Sequence, residues 1–160
     1  MAAPTPTVRP APFGYKLDDG WQSFITLSAD TDICFWEKTI KPPALDGGDP
    51  VDTTTMHNDV WRGRSPRSLI TMDPVTINAA YDPKLYTAIL SILNVETTIT
   101  VTFPNGDTLC FYGFLNKFEP GELSEAEAPT CAITIIPTNE DPTTGAEEAP
   151  VFTHTAGTGT

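Results

Sequence analysis

The stretch TTITVTFPNGDTLCFYGFLNKF, residues 97–118, decides the fold. It opens with strict alternation: Ile99, Val101 and Phe103 fall on one side, Thr98, Thr100 and Thr102 on the other. That is the period of two that a strand imposes on its side chains. Pro104-Asn105-Gly106-Asp107 follows with turn chemistry, because proline fixes φ and Asn-Gly accepts a left-handed backbone. Thr108–Phe118 then resumes the alternation with Leu109, Phe111 and Leu115. Two alternating runs about such a turn predict a β-hairpin.

Immediately upstream, Pro83–Leu93 is the one good helical segment. Asp82 is its natural N-cap, Pro83 occupies the first helical position and Asn94 can end it. Leu85, Ala88, Ile89, Ile92 and Leu93 form one apolar stripe at helical spacing, expected to pack on a sheet. Further out, Gln22–Ser28 alternates Ile25 and Leu27 against Phe24 and Thr26. Ile33–Ile40 sets Ile33 and Phe35 against Cys34 and Trp36, until Pro42 and Pro43 end it. Ser68–Met72 and Val75–Tyr81 have strand character around Asp73-Pro74, and Thr130–Pro137 is a last strand with Ile133 and Ile135 on one face. Between these lie an acidic loop, Glu119–Pro129, and a long stretch read as irregular, Lys41–Arg67. A connection of that length is functional or disordered. Residues 1–20, with Pro4, Pro6, Pro10 and Pro12, and residues 138–160 offer little to bury. Both are expected as extended arms on a domain spanning 21–137.

Composition agrees. The chain has 160 residues, enough for one domain, and its 25 threonines and 16 prolines favour strands and irregular connections over helices. Nine Lys and Arg against 21 Asp and Glu leave a net charge of −12, which argues against nucleic-acid binding by counterion release. No apolar stretch approaches the length of a membrane span, and the N-terminus lacks the charged start and apolar core of a secretory signal. The three cysteines, Cys34, Cys110 and Cys131, cannot all pair within one chain and are expected as small buried residues of a reducing cytoplasm.

A catalytic constellation is missing from the sequence. No nucleophile elbow, phosphate-cradling glycine loop or His-Glu-x-x-His helix is present. His57 is the one candidate general base outside the C-terminal arm, but loop histidines are far more often structural or merely solvated than catalytic. Asp46-Gly47-Gly48-Asp49-Pro50-Val51-Asp52 brings three carboxylates together, yet lacks the spacing and terminal Glu of an EF-hand loop; Asp and Gly are also ordinary turn formers. No enzyme activity, metal or cofactor is expected. Arg62, Arg64 and Arg67 concentrate positive charge on an acidic chain, either to meet an acidic patch on a neighbouring copy or as a solvated rim.

Several segments resemble a known family. Asp52-Thr53-Thr54-Thr55-Met56-His57-Asn58, Trp61-Arg62 and Ser65-Pro66-Arg67-Ser68-Leu69 resemble the loop region of major tail tube proteins from long-tailed (siphovirus-type) bacteriophages. Ala80-Tyr81-Asp82-Pro83, TITVTFPNG over 98–106, Phe111–Leu115 and Ile133–Asn139 extend the match in order, over roughly residues 33–148. The resemblance implies a mainly-β fold of two packed antiparallel sheets, a β-sandwich, flanked by one helix. It implies hexameric rings stacked into a tube in the virion tail, assembled from protein made in the bacterial host cytoplasm. The tube would hold the tape measure protein, meet tail terminator and tail tip proteins, and let DNA pass without specific binding. Lys41–Arg67 would be the loop between rings, with Asp52, Thr53, Thr54, Met56, His57, Asn58, Trp61, Arg62, Arg64 and Arg67 as contact residues. The arms would order on assembly. The competing reading is a monomeric β-sandwich module that binds carbohydrate or a small ligand through Trp21, Trp36 or Trp61.

Overall fold

A computed structural model describes residues 19–155. The expected N-terminal arm, up to residue 18, and the end of the C-terminal arm, from residue 156, lie outside the described residues. In chain order the elements are β1 (Phe24–Leu27), β2 (Trp36–Lys41), β3 (Leu45–Asp46), β4 (Val51–Asp52), β5 (Arg64–Ser65), β6 (Thr71–Met72) and β7 (Val75–Ala80). Then come α1 (Leu85–Ile92), β8 (Glu96–Thr102), β9 (Thr108–Pro120), β10 (Thr130–Pro137) and β11 (Val151–Thr153).

The hairpin forms as the alternation requires. β8 and β9 pair antiparallel from Thr102↔Thr108 to Glu96↔Phe114. Gly106, at φ +84°, turns the chain, with its amide donating to the Phe103 carbonyl and the Phe103 amide to the Asp107 carbonyl, each at 2.9 Å. From this hairpin a seven-stranded antiparallel sheet spreads in the order β1-β8-β9-β10-β7-β2, with β11 added beside β9. Ile25, Leu27, Val75, Ile77, Ile99, Val101, Phe111, Leu115, Ile133 and Ile135 are buried on its inner face with Ile89 and Ile92 of the helix. Each fully buried Leu, Ile or Val contributes about 1.5–3 kcal/mol relative to exposure.

The mainly-β architecture with one helix is as expected. Its layers are the halves of one curled sheet rather than two separately hydrogen-bonded sheets. Register shifts in β9, between Lys117 and Leu115, and in β2, between Glu37 and Thr39, are bulges. Bulges bend a strand and increase its twist, so the sheet wraps the core instead of breaking. The edges of β1 and β2 come close enough for the Ile25 amide to donate to Glu37 Oε1 at 3.2 Å.

The helix starts at Leu85, two residues after the expected position. Asp82 Oδ1 accepts the Lys84 amide at 2.9 Å and the Asp82 carbonyl accepts the Leu85 amide at 3.1 Å, so Asp82 holds the turn leading into it. Lys84 occupies the N-cap position without a side-chain cap bond. Asn94, at φ +59°, ends the helix in the left-handed conformation that asparagine tolerates.

Residues 138–155 are folded back, not extended as a free arm. A tight turn at Asp141–Ala146 leads to β11, which pairs Val151–Thr153 with Cys110–Thr108. Beyond it, His154 Nδ1 lies 3.0 Å from Asp107 Oδ2 and the Thr155 amide donates to Asp107 Oδ1 at 2.8 Å. Burial pushes the Asp107 carboxyl up, but the Thr155 amide, the Asn105 side chain and the His154 ring outweigh this and hold it below the usual carboxylate range. The cysteines also differ from expectation: Cys131 is buried, Cys110 half-buried and Cys34 exposed. Cys34 sits on the outer side of the alternation whose inner side is Ile33 and Phe35.

Candidate assembly interface

Register gives the molecule two ends. β2 and β7 pair from Trp36↔Ala80 to Lys41↔Thr76 and then continue outward. Leu45↔Met72 and Asp46↔Thr71 join β3 to β6; Val51↔Ser65 and Asp52↔Arg64 join β4 to β5. The stretch expected as irregular is therefore a long β-hairpin arm, with Pro42-Pro43 and Gly47-Gly48 as the breaks between its rungs. Prolines and glycines obscured the strand pattern in sequence, because each removes a ladder donor or a side chain.

The tip is built by its own polar groups. The Thr53 amide donates to the Gly63 carbonyl at 3.0 Å, and the Gly63 amide to Thr54 Oγ1 at 3.1 Å. A Cβ on Gly63 would approach Thr53 Oγ1 to 2.9 Å, so a larger residue there would have to displace the Thr53 hydroxyl. Asn58 closes the tip: its Oδ1 accepts the Thr55 amide at 2.8 Å and its Nδ2 donates to the Trp61 carbonyl at 3.1 Å. The His57 amide donates to Thr55 Oγ1 at 3.3 Å.

Two of the three carboxylates in the Asp46–Asp52 run are used locally. Asp46 Oδ1 accepts the Gly48 amide and Asp52 Oδ1 the Thr54 amide, both at 2.8 Å. The Thr54 hydroxyl and amide hold the Asp52 carboxyl below its ordinary range. Arg67 Nε donates to the Asp49 carbonyl at 2.8 Å, tying the arm's two strands together. Among the described residues no three His, Cys, Asp or Glu side chains converge as a metal site would require.

The arm therefore carries an unburied apolar surface. Leu45, Val51, Met56, Val60, Trp61, Leu69 and Ile70 are all exposed, Trp61 at 83%. Arg62 and Arg64 stand beside Trp61 near the tip, exposed, and form no ion pair among the described residues. The structure thus brings Asp52, Thr53, Thr54, Met56, His57, Asn58, Trp61, Arg62 and Arg64 onto one arm, with Arg67 nearer its base. Exposed apolar patches of this kind mark interaction surfaces.

Sequence reasoning missed three features that bear on function. Leu69 and Ile70, read as part of a strand, lie outside β6 and are exposed at the arm's base. Trp36, on the face of its strand opposite Ile33 and Phe35, is exposed on the sheet's outer side. The third is a cleft of about 700 Å³ at the seam between β1 and β2, lined by Trp21, Glu37, Lys38, Ile40, Val101 and Phe103 among others. The strict alternation of Cys34 and Trp36 against Ile33 and Phe35 carried the signal for the second; the others depend on how the sheet curls.

No protein-family profile matches the sequence, and no curated protein is similar to it. Solved structures do share its fold. A chain from the virion of a native gene transfer agent particle superposes with a TM-score of 0.60 at 10% identity, covering 86% of this chain and 100% of its own. A chain from the tail of an empty gene transfer agent particle, refined with C6 symmetry, gives 0.59 at 10% identity with the same coverage. One from the six-fold symmetrised anti-feeding prophage baseplate gives 0.53 at 6% identity, covering 82% and 90%. The chain has a fold used in tail and baseplate particles.

Proposed function

We propose that this protein is a non-enzymatic structural subunit of a phage-type tail tube, located in the virion tail. Six copies close into a ring and rings stack about a channel, which holds the tape measure protein during assembly and conducts DNA afterwards. Terminator and tip proteins would close the two ends of the stack. The observation that carries this reading is the arm. It buries almost none of its own apolar residues, yet it is ordered by two short antiparallel ladders and a hydrogen-bonded tip. An ordered surface of that kind is complete only against another molecule. The shared fold of chains solved in six-fold tail and baseplate particles supports the choice of assembly. The net charge of −12 also fits, because an acidic wall repels phosphate and lets DNA pass without adhering.

Electron microscopy of the concentrated protein tests this directly. Rings or tubes with a central hole are expected, and strictly monomeric protein under all assembly conditions would refute the proposal. A second test removes the arm alone: joining Asp46 to Thr71 through Asn-Gly keeps the β3–β6 pair and supplies a two-residue turn. The shortened chain should fold and fail to form tubes. The seam cleft with Trp21 favours one second reading, a module for carbohydrate or a small ligand. A glycan screen that finds a ligand for a protein that stays monomeric would support it.

A further inference from the structure

The two ends of the strands carry unlike surfaces. At one end the arm continues β2 and β7 away from the body, presenting Trp61, Arg62 and Arg64. At the other end β9 passes into β10 through residues 121–129, where Cys131 pairs with Pro120 and Thr130 with Ala80. This loop is held by the Gly121 amide on the Thr130 carbonyl at 2.7 Å and the Tyr81 amide on the Pro129 carbonyl at 2.9 Å. It exposes Glu122, Glu125 and Glu127, contains no basic residue, and carries the exposed Leu123 next to Glu122. Lys117, the nearest cation on β9, is already engaged with Glu119 at 2.6 Å.

Complementary groups at opposite ends of one rigid sheet cannot meet within one chain. They can meet between two copies arranged head to tail, a contact that does not close on itself and so propagates. The arm has the reach: residues 46–55, from its base rung to the turn at its tip, span at most roughly 30 Å at about 3.3 Å per residue. A body of this size has a radius of gyration of only about 14 Å. Arginine suits the contact, since its planar fork binds carboxylates in paired hydrogen bonds and its stem covers apolar surface.

We infer that the arm tip of one copy docks on the 121–129 loop of a second copy, with Arg62 and Arg64 against Glu122, Glu125 and Glu127, and Trp61 beside Leu123. The inference rests on the subunit reading above and names the surface that receives the arm. The acidic loop is thereby an acceptor, and the charge of the chain becomes a device for setting the direction of stacking.

Charge reversal in the full-length protein tests it. R62E/R64E and E122R/E125R should each raise the concentration needed for tubes by roughly tenfold or more at low salt. The chain carrying all four changes should assemble near the wild-type concentration, because the pairs are restored with opposite sign. Circular dichroism checks the fold, and E122Q/E125Q, which removes charge without reversing it, should give a smaller loss. Wild-type tubes together with unimpaired assembly of E122R/E125R, or no recovery in the combined variant, would overturn the docking site and leave the subunit reading standing. Absence of any assembly by the wild-type protein would overturn both.

Discussion

Trp61→Ala separates the arm's two possible roles, folding and assembly. Trp61 is 83% exposed, and among the described residues its polar contact is a backbone carbonyl that accepts Asn58 Nδ2, which alanine keeps. Stability should therefore change by no more than about 0.5 kcal/mol, as for other exposed positions. Assembly is another matter. A tryptophan buries roughly 200 Å² when covered, so at this exposure about 170 Å² is available to a partner. At about 25 cal/mol per Å² that is an upper bound near 4 kcal/mol, and interface tryptophans commonly cost about 2–4 kcal/mol when truncated. With about 1.4 kcal/mol per factor of ten, the critical concentration for tubes should rise roughly thirtyfold to several-hundredfold. Sedimentation across a dilution series, read alongside a thermal melt, measures both quantities. A variant that melts like wild type and assembles within about threefold of its concentration would refute an interface role for the arm tip. A variant that unfolds would refute the claim that the arm buries nothing of its own.

Other consequences concern the body. A Cβ at Gly113 would come within 2.6 Å of the Ile136 carbonyl oxygen and 3.1 Å of Ile99 Cδ1, so Gly113→Ala should lose about 1–3 kcal/mol in urea unfolding. Alkylation should find Cys34 reactive in the native protein and Cys131 protected until unfolding, since Cys131 is buried and its burial pushes the thiol up. Because the Asp107 carboxyl is held below its ordinary value of 3.8, its anchoring of His154 and Thr155 is complete above that pH and disappears as pH falls through the lowered value. Hydrogen exchange should show the Thr153–Thr155 amides losing protection in acid before those of β10. Asp107→Asn should flatten that dependence.

Much of the fold was legible because short-range chemistry wrote it. Ile99, Val101, Phe111 and Leu115 announced which face of the hairpin is buried, and Asn105-Gly106 announced where it turns. Asn94 marked the helix end because few residues other than glycine accept a positive φ. Errors arose where pairing partners lie far apart in sequence. The arm reads as irregular along the chain, since its rungs have two residues each and are separated by proline and glycine. Its strand character depends on Asp52 meeting Arg64 and Leu45 meeting Met72. Val151–Thr153 is too short to be seen as a strand until β9 supplies its partner.

The sequence by itself determined the mainly-β class, the hairpin, the helix and the apolar face of the longer strands of the main sheet, because period and turn chemistry act between neighbours. Only the tertiary structure decided that one sheet curls around the core, that the C-terminal segment is fastened to Asp107, and that the arginines and the glutamates of residues 121–129 stand at opposite ends. Those outcomes depend on register and bulges, which are set by contacts between distant residues and leave no periodic mark on either strand alone.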